Sequence, residues 1–209
     1  MSGHVVLLGD SIFDNAVYVA PGGTSVIEHL RRALPPAWRG SLLAVDGAMV
    51  ADVDRQLTNL PSDATHLVLS IGGNDALWMA GNVFAEVATD VRSALQILAG
   101  PIEDFSRGYR TLAQTLRRRN LPLGICTIYD HVPGLTAAER MGLCVFNDVI
   151  SRTAFEVGAT LIDLRLTCGE KSDYATISPI EPSTAGGSKI ARAIVRALLD
   201  GQDARQVVI

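Results

Sequence analysis

The chain has 209 residues, of which 48% are hydrophobic and 19% charged, with a net charge of −4 at pH 7. Those proportions exclude intrinsic disorder and fit one α/β domain over residues 1–209 with a well-buried core. The acidic balance argues against nucleic acid as a partner. The one basic run, Arg117 to Arg119, ends a helical pattern, where cations complement the helix dipole. No apolar run approaches the ~20 residues of a membrane span. The N-terminus shows no charged segment followed by an apolar one, so the expected compartment is the cytoplasm. Cys126, Cys144 and Cys168 form no C-x-x-C pair. They are expected as buried, reduced thiols rather than zinc ligands or disulfides.

Short apolar runs at Val5 to Leu8, Leu42 to Val45, Leu67 to Ile71, Leu123 to Ile128 and Thr160 to Ile162 read as strands buried on both faces. Segments with a period near 3.6 lie between them. The first is Ile27, Leu30 and Leu34, with Ser25 and Glu28 at capping-box spacing. Further stripes are Phe84, Val87, Val91, Leu95 and Leu98; then Phe105, Tyr109, Leu112 and Leu116; then Met141, Val145 and Val149; then Ile190, Ile194 and Leu198. All are expected to face the core. Five alternations of strand and helix predict a three-layer α/β/α domain with a five-stranded parallel sheet. Ligands of such sheets bind beyond the C-terminal ends of the strands.

Three of the loops there carry chemistry. The first reads Gly9-Asp10-Ser11, the second holds Gly47, and the third reads Gly72-Gly73-Asn74-Asp75. Each alone is consistent with a polar turn or a helix cap. Together they supply a hydroxyl and hydrogen-bond donors from three neighbouring loops, which is the inventory of an acyl-transfer site.

On these blocks the sequence resembles the SGNH or GDSL hydrolases, whose members include esterases, lipases, thioesterases and carbohydrate deacetylases. Gly9-Asp10-Ser11 corresponds to the G-D-S block, with Ile12 where Leu is commoner. Gly47 corresponds to the second block, and Gly72-Gly73-Asn74-Asp75 to the G-x-N-D block. The resemblance implies a flavodoxin-like fold, Ser11 as nucleophile, and an oxyanion hole made by the backbone N–H groups of Ser11 and Gly47 with the Asn74 side chain. It implies a small-molecule ester substrate and no cofactor. No G-x-S-x-G elbow supports the α/β-hydrolase alternative.

The last block departs from that pattern. Where D-x-x-H is usual, the chain reads Ser178-Pro179-Ile180-Glu181, and Pro182, Ser183 and Gly186 fix the register. Glu181 takes the histidine position and Ser178 the aspartate position. A carboxylate can accept the serine proton if burial raises its affinity for it. It has no tautomer to orient, so the loss of the aspartate is chemically coherent. Two other readings stay open: His131, after the fourth strand, as a substitute base, and a site that binds without turnover. Asp10 and Asp75 are expected to hydrogen-bond loop amides, and no ligand spacing points to a metal. Trp78 is a candidate for an acyl pocket, a lid or the core. A nucleotide or flavin site after the first strand is disfavoured, because Asp10 and Asp14 would repel phosphate.

Overall fold

Val5, Val6, Leu7 and Leu8 have bulky side chains on both sides of the chain, so their strand needs cover on both faces of its sheet. In the computed structural model, which describes residues 2–199, this strand is the second of five. The strands β1 (Gly3–Gly9), β2 (Trp38–Leu42), β3 (His66–Ser70), β4 (Leu123–Cys126) and β5 (Thr160–Ile162) lie in the order β2-β1-β3-β4-β5. Every pairing is parallel.

The helices are α1 (Val26–Ala33), α2 (Val53–Leu57), α3 (Gly73–Asn82), α4 (Val91–Arg117), α5 (Ala137–Glu156), α6 (Leu164–Thr167) and α7 (Thr184–Leu199). Val5 and Leu7 pack with Ile27 and Leu30 of α1 and with Ile190 and Ile194 of α7. Val6 and Leu8 face the opposite way, onto Val53 of α2, Leu112 and Leu116 of α4 and Ile150 of α5. The sheet is therefore the middle of three layers. At the start of α1 the Ser25 N–H donates to Glu28 Oε2 at 2.8 Å, completing the expected capping box.

Several boundaries differ from the sequence reading. The second strand is Trp38–Leu42 rather than Leu42 to Val45, and Val45 is exposed. The apolar run there belongs to the loop leaving the strand, where the Val45 N–H donates to the Gly9 carbonyl. The two stripes on either side of Pro101 merge into one helix of 27 residues. At 1.5 Å per residue such a helix spans about 40 Å, whereas a five-residue strand covers about 17 Å. Its N-terminal half therefore overhangs the sheet, which leaves Val91 and Leu95 exposed; Val87, in the turn before it, is exposed too. On α5 the buried face is Phe146, Val149 and Ile150, not Met141 and Val145, which face solvent. Cys144 is exposed, while Cys126 and Cys168 are buried.

In the order β2-β1-β3 the chain leaves the sheet in opposite directions after β1 and β3, and the crevice between those two loops is where such folds place ligands. The backbone at this crevice is pinned by buried amides. Gln56 Oε1 accepts from the Gly9 N–H at 2.8 Å, and its Nε2 donates to the Gly9 carbonyl at 2.7 Å. Asn147 makes the same pair with Ile128 just past β4, both at 2.8 Å. Gly9 itself has φ +128°, and a Cβ there would stand 1.7 Å from the Ser70 carbonyl oxygen, so no other residue fits. Replacing Gln56 by Leu leaves the Gly9 N–H buried without a partner. Urea denaturation of Gln56→Leu should show a loss of about 2 kcal/mol at unchanged m-value.

Candidate active site

Ser11 follows β1 in a tight turn in which the Phe13 and Asp14 N–H groups both donate to the Asp10 carbonyl at 3.1 Å. Phe13 is fully buried and anchors the turn. The Asp10 N–H continues the β1–β3 ladder by donating to the Ser70 carbonyl, and Asp10 Oδ1 accepts from the Ile12 N–H, each at 3.1 Å. Asp10 is buried. Burial pushes its carboxyl up to about 7, and the charges of Asp75 and Glu181 add to the rise against the pull of its backbone hydrogen bonds.

Glu181 arrives from the far end of the chain. Its backbone is fixed at both sides: the Ala175 N–H donates to the Glu181 carbonyl at 2.8 Å, and the Glu181 N–H donates to the Ser178 carbonyl at 3.1 Å. Tyr129 Oη donates to the Ile180 carbonyl at 2.5 Å. Asn15, fully buried, donates through Nδ2 to the Pro182 carbonyl and accepts at Oδ1 from the Val26 N–H, both at 2.9 Å. These bonds bring Glu181 Oε1 within 3.4 Å of Ser11 Oγ, which donates to it. Glu181 is only 3% exposed, and its Oε2 is buried without a hydrogen-bond partner. Burial raises its pKa above the usual carboxylate range, while hydrogen bonds from the Ser178 and Ser11 side chains pull the other way. Ser178, standing where the resemblance has aspartate, thus offers the carboxylate a neutral hydroxyl in place of a second charge.

Gly72, at φ +118°, begins α3 and turns the chain so that Asn74 faces the Ser11 cavity. Asn74 Nδ2 donates to the Ala48 carbonyl at 2.9 Å. The amide carries two hydrogens, so one donor is left for a ligand. Asp75 Oδ2 accepts from the Val50 N–H at 3.2 Å, which ties the third loop to the second. Gly47 is exposed at φ +77°, with open space where a side chain would stand. His131 is exposed, with Nδ1 2.9 Å from Asp130 Oδ1, and it does not border the Ser11 cavity. Trp78 borders a different cleft, on the α4 side of α3. Among the described residues no cluster of three His, Cys, Asp or Glu side chains could hold a metal ion.

A cavity of about 90 Å³ opens at Ser11 and runs between α3 and α5. The model of one protein family, described as GDSL-like Lipase/Acylhydrolase, matches residues 7–187. The chain belongs to this family. The match takes in Ser11, Gly47, Asn74 and Glu181. No curated protein matches the sequence. Among solved structures, LAE5, an alpha/beta hydrolase enzyme from the metagenome of Lake Arreo in Spain, is 20% identical over 94% of this chain and 96% of its own, with a TM-score of 0.68. An extracellular lipase from Streptomyces rimosus is 17% identical over 94% and 100%, with a TM-score of 0.70. Axe2, an acetylxylan esterase from Geobacillus stearothermophilus, is 18% identical over 94% of each chain, with a TM-score of 0.66. At these identities the likeness establishes the fold: the flavodoxin-like strand order in three layers that the resemblance implied.

Asn15, Gln56, Asn147 and Tyr129 support the GDSL-type site without belonging to any of its motifs. The signal that could have found Gln56 and Asn147 is an uncharged amide inside an otherwise apolar helical stripe. Asn15 and Tyr129 lie in loops and carried no such mark.

The raised Asp10 pKa has a consequence for stability. The native carboxyl keeps its proton to about 7, whereas the unfolded one loses it near 3.8. The contribution of Asp10 is therefore fully present below the unfolded value and is lost as pH rises through about 7. Asp10→Asn keeps the acceptor for Ile12 and cannot ionise. Its unfolding free energy should gain on the wild type between about pH 4 and about pH 8, on the order of 4 kcal/mol in total. A constant difference across that range would contradict the assignment.

Proposed function

We propose that this GDSL-family protein hydrolyses a small carboxylic ester through an acyl-enzyme on Ser11, with Glu181 as the general base. The observation that carries the reading is the Ser11 Oγ to Glu181 Oε1 hydrogen bond of 3.4 Å, made at the crevice where the β1 and β3 loops part. A carboxylate at its ordinary pKa of about 4.3 is a weak base at neutral pH; burial of Glu181 shifts it in the direction the task requires. The unpartnered Oε2 favours the protonated acid that the step creates.

In this reading the Ser11 hydroxyl gives its proton to Glu181 as Oγ attacks the ester carbonyl. The oxyanion is held by the Ser11 and Gly47 N–H groups and by the second Asn74 amide hydrogen. As the tetrahedral intermediate collapses, Glu181 returns the proton to the departing alcohol. A water then repeats the sequence against the acyl-enzyme, with Glu181 taking its proton and Ser11 leaving with one restored. Ser178 and the Asn15–Pro182 bond hold the carboxylate in place. We read the chain as one domain acting on small molecules. The three free cysteines are consistent with a reducing compartment such as the cytoplasm.

With p-nitrophenyl acetate as substrate, Ser11→Ala should lower kcat by about 10⁴-fold or more, and Glu181→Gln by about 10²- to 10⁴-fold. A fluorophosphonate should label Ser11 in the wild type. Hydrolysis by Ser11→Ala at the wild-type rate, or a wild-type protein that neither turns over esters nor takes the label, would favour a ligand-binding protein on the same fold.

A further inference from the structure

The cavity at Ser11 is polar at one end only. Asp10, Ser11, Ser70 and Asn74 gather at the sheet edge, and beyond them the walls are Ile71, Leu77, Ile128, Val132, Leu143 and Ile180. Two polar side chains border this apolar stretch, and both are already engaged. Tyr129 Oη donates to the Ile180 carbonyl. Glu139 Oε2 accepts from the Thr136 N–H and Oγ1 at the start of α5, each at 2.7 Å. A hydroxylated or charged group lying along the apolar walls would lose its water and find only the spare lone pairs of Glu139 and Tyr129 as partners. A hydrocarbon chain needs no such partner.

The far end of the cavity has a floor. Phe84, half-buried in the turn after α3, lies against Gly142 of α5. A Cβ at Gly142 would stand 3.1 Å from Phe84 Cζ and 3.8 Å from Met79 Cε. Met79, Phe84 and Gly142 also border a second, open groove between α4 and α5, whose walls include Leu95, Leu98, Met141 and Val145. The Phe84 ring thus stands between the apolar cavity that reaches Ser11 and a second apolar groove that continues beyond it.

We propose that the acyl part of the substrate is an unbranched aliphatic chain lying in this cavity, and that Phe84 against Gly142 sets its greatest length. The inference rests on the ester-hydrolase reading for the chemistry at Ser11, but the cavity and its floor are independent of which residue is the base. The cavity is small, about 90 Å³, so the chain it takes is of medium length, about hexanoate to octanoate.

The test is the chain-length profile of kcat/KM on p-nitrophenyl esters from acetate to dodecanoate, read as ratios to acetate within each variant. The wild type should gain about fourfold per added methylene, the equivalent of ~0.8 kcal/mol each, and then fall between about hexanoate and decanoate. Phe84→Ala should open the cavity into the groove and move the break at least two carbons longer. Ala80→Phe fills the cavity from α3 and should move the break below hexanoate, so the proposal stays testable if Phe84→Ala does not fold. Binding separates this inference from the catalytic one. Ser11→Ala, titrated with methyl acetate and methyl hexanoate by calorimetry, should bind the hexanoate more tightly, and adding Ala80→Phe should abolish the difference. A wild-type profile flat from acetate to dodecanoate, or breaks unmoved in both variants, would overturn the proposal. Equal binding of the two methyl esters by Ser11→Ala would overturn it even with no turnover at all.

Discussion

The hydrogen bond from Asn15 Nδ2 to the Pro182 carbonyl joins two loops that are 167 residues apart in sequence. Ser11 lies at one end of that span and Glu181 at the other. Parallel strands deliver both loops to the same edge of the sheet, but edge and proximity alone leave several ångströms of freedom. Asn15 removes that freedom on the Glu181 side, and its Oδ1 ties the same point to the first residue of α1. Gln56 does the equivalent for the strand that carries Ser11. The proton transfer proposed for this pair would cross 3.4 Å and tolerate little displacement, so these neutral amides would matter to it although they touch neither Ser11 Oγ nor Glu181 Oε1.

Burial sets the electrostatics of the site. Asp10 and Glu181 are both withdrawn from water, and neither meets a cation in the structure, so both are pushed toward their neutral forms. The Ser11 turn places a second carboxylate, Asp10, within reach of the Glu181 charge. That charge is felt in the expected sense, since Glu181 contributes to the rise of the Asp10 pKa. Asp10 gives the Ile12 N–H its acceptor inside the turn.

Much of this was legible in the residues. Continuous apolar runs marked four of the five strands, because strands buried on both faces cannot alternate. The motif loops fell at the strand ends, because that is where parallel sheets expose backbone groups. The capping box at Ser25 was readable from spacing alone. Other features were not legible, for physical reasons. Leu42 to Val45 is apolar for loop packing, which composition does not separate from strand packing. Met141 and Val145 repeat at helical spacing but sit a quarter-turn from the buried line through Phe146, Val149 and Ile150, and only the neighbouring helix decides which line is inside. The stripes ending at Leu98 and beginning at Phe105 belong to one long helix that runs through Pro101. Asn15 and Tyr129 act through backbone carbonyls of Pro182 and Ile180, contacts that no local pattern encodes. Glu181 was identified from register, and its burial, which gives it chemical meaning, came from the fold.

The central claim is that a buried carboxylate, not an imidazole, takes the Ser11 proton. The direct measurement is the pH dependence of kcat/KM on p-nitrophenyl acetate for the wild type, Glu181→Gln and His131→Ala. The account predicts an acidic limb above the ordinary carboxylate value of about 4.3, unchanged in His131→Ala and missing from the residual activity of Glu181→Gln. A limb that survives Glu181→Gln intact and disappears with His131→Ala would contradict it.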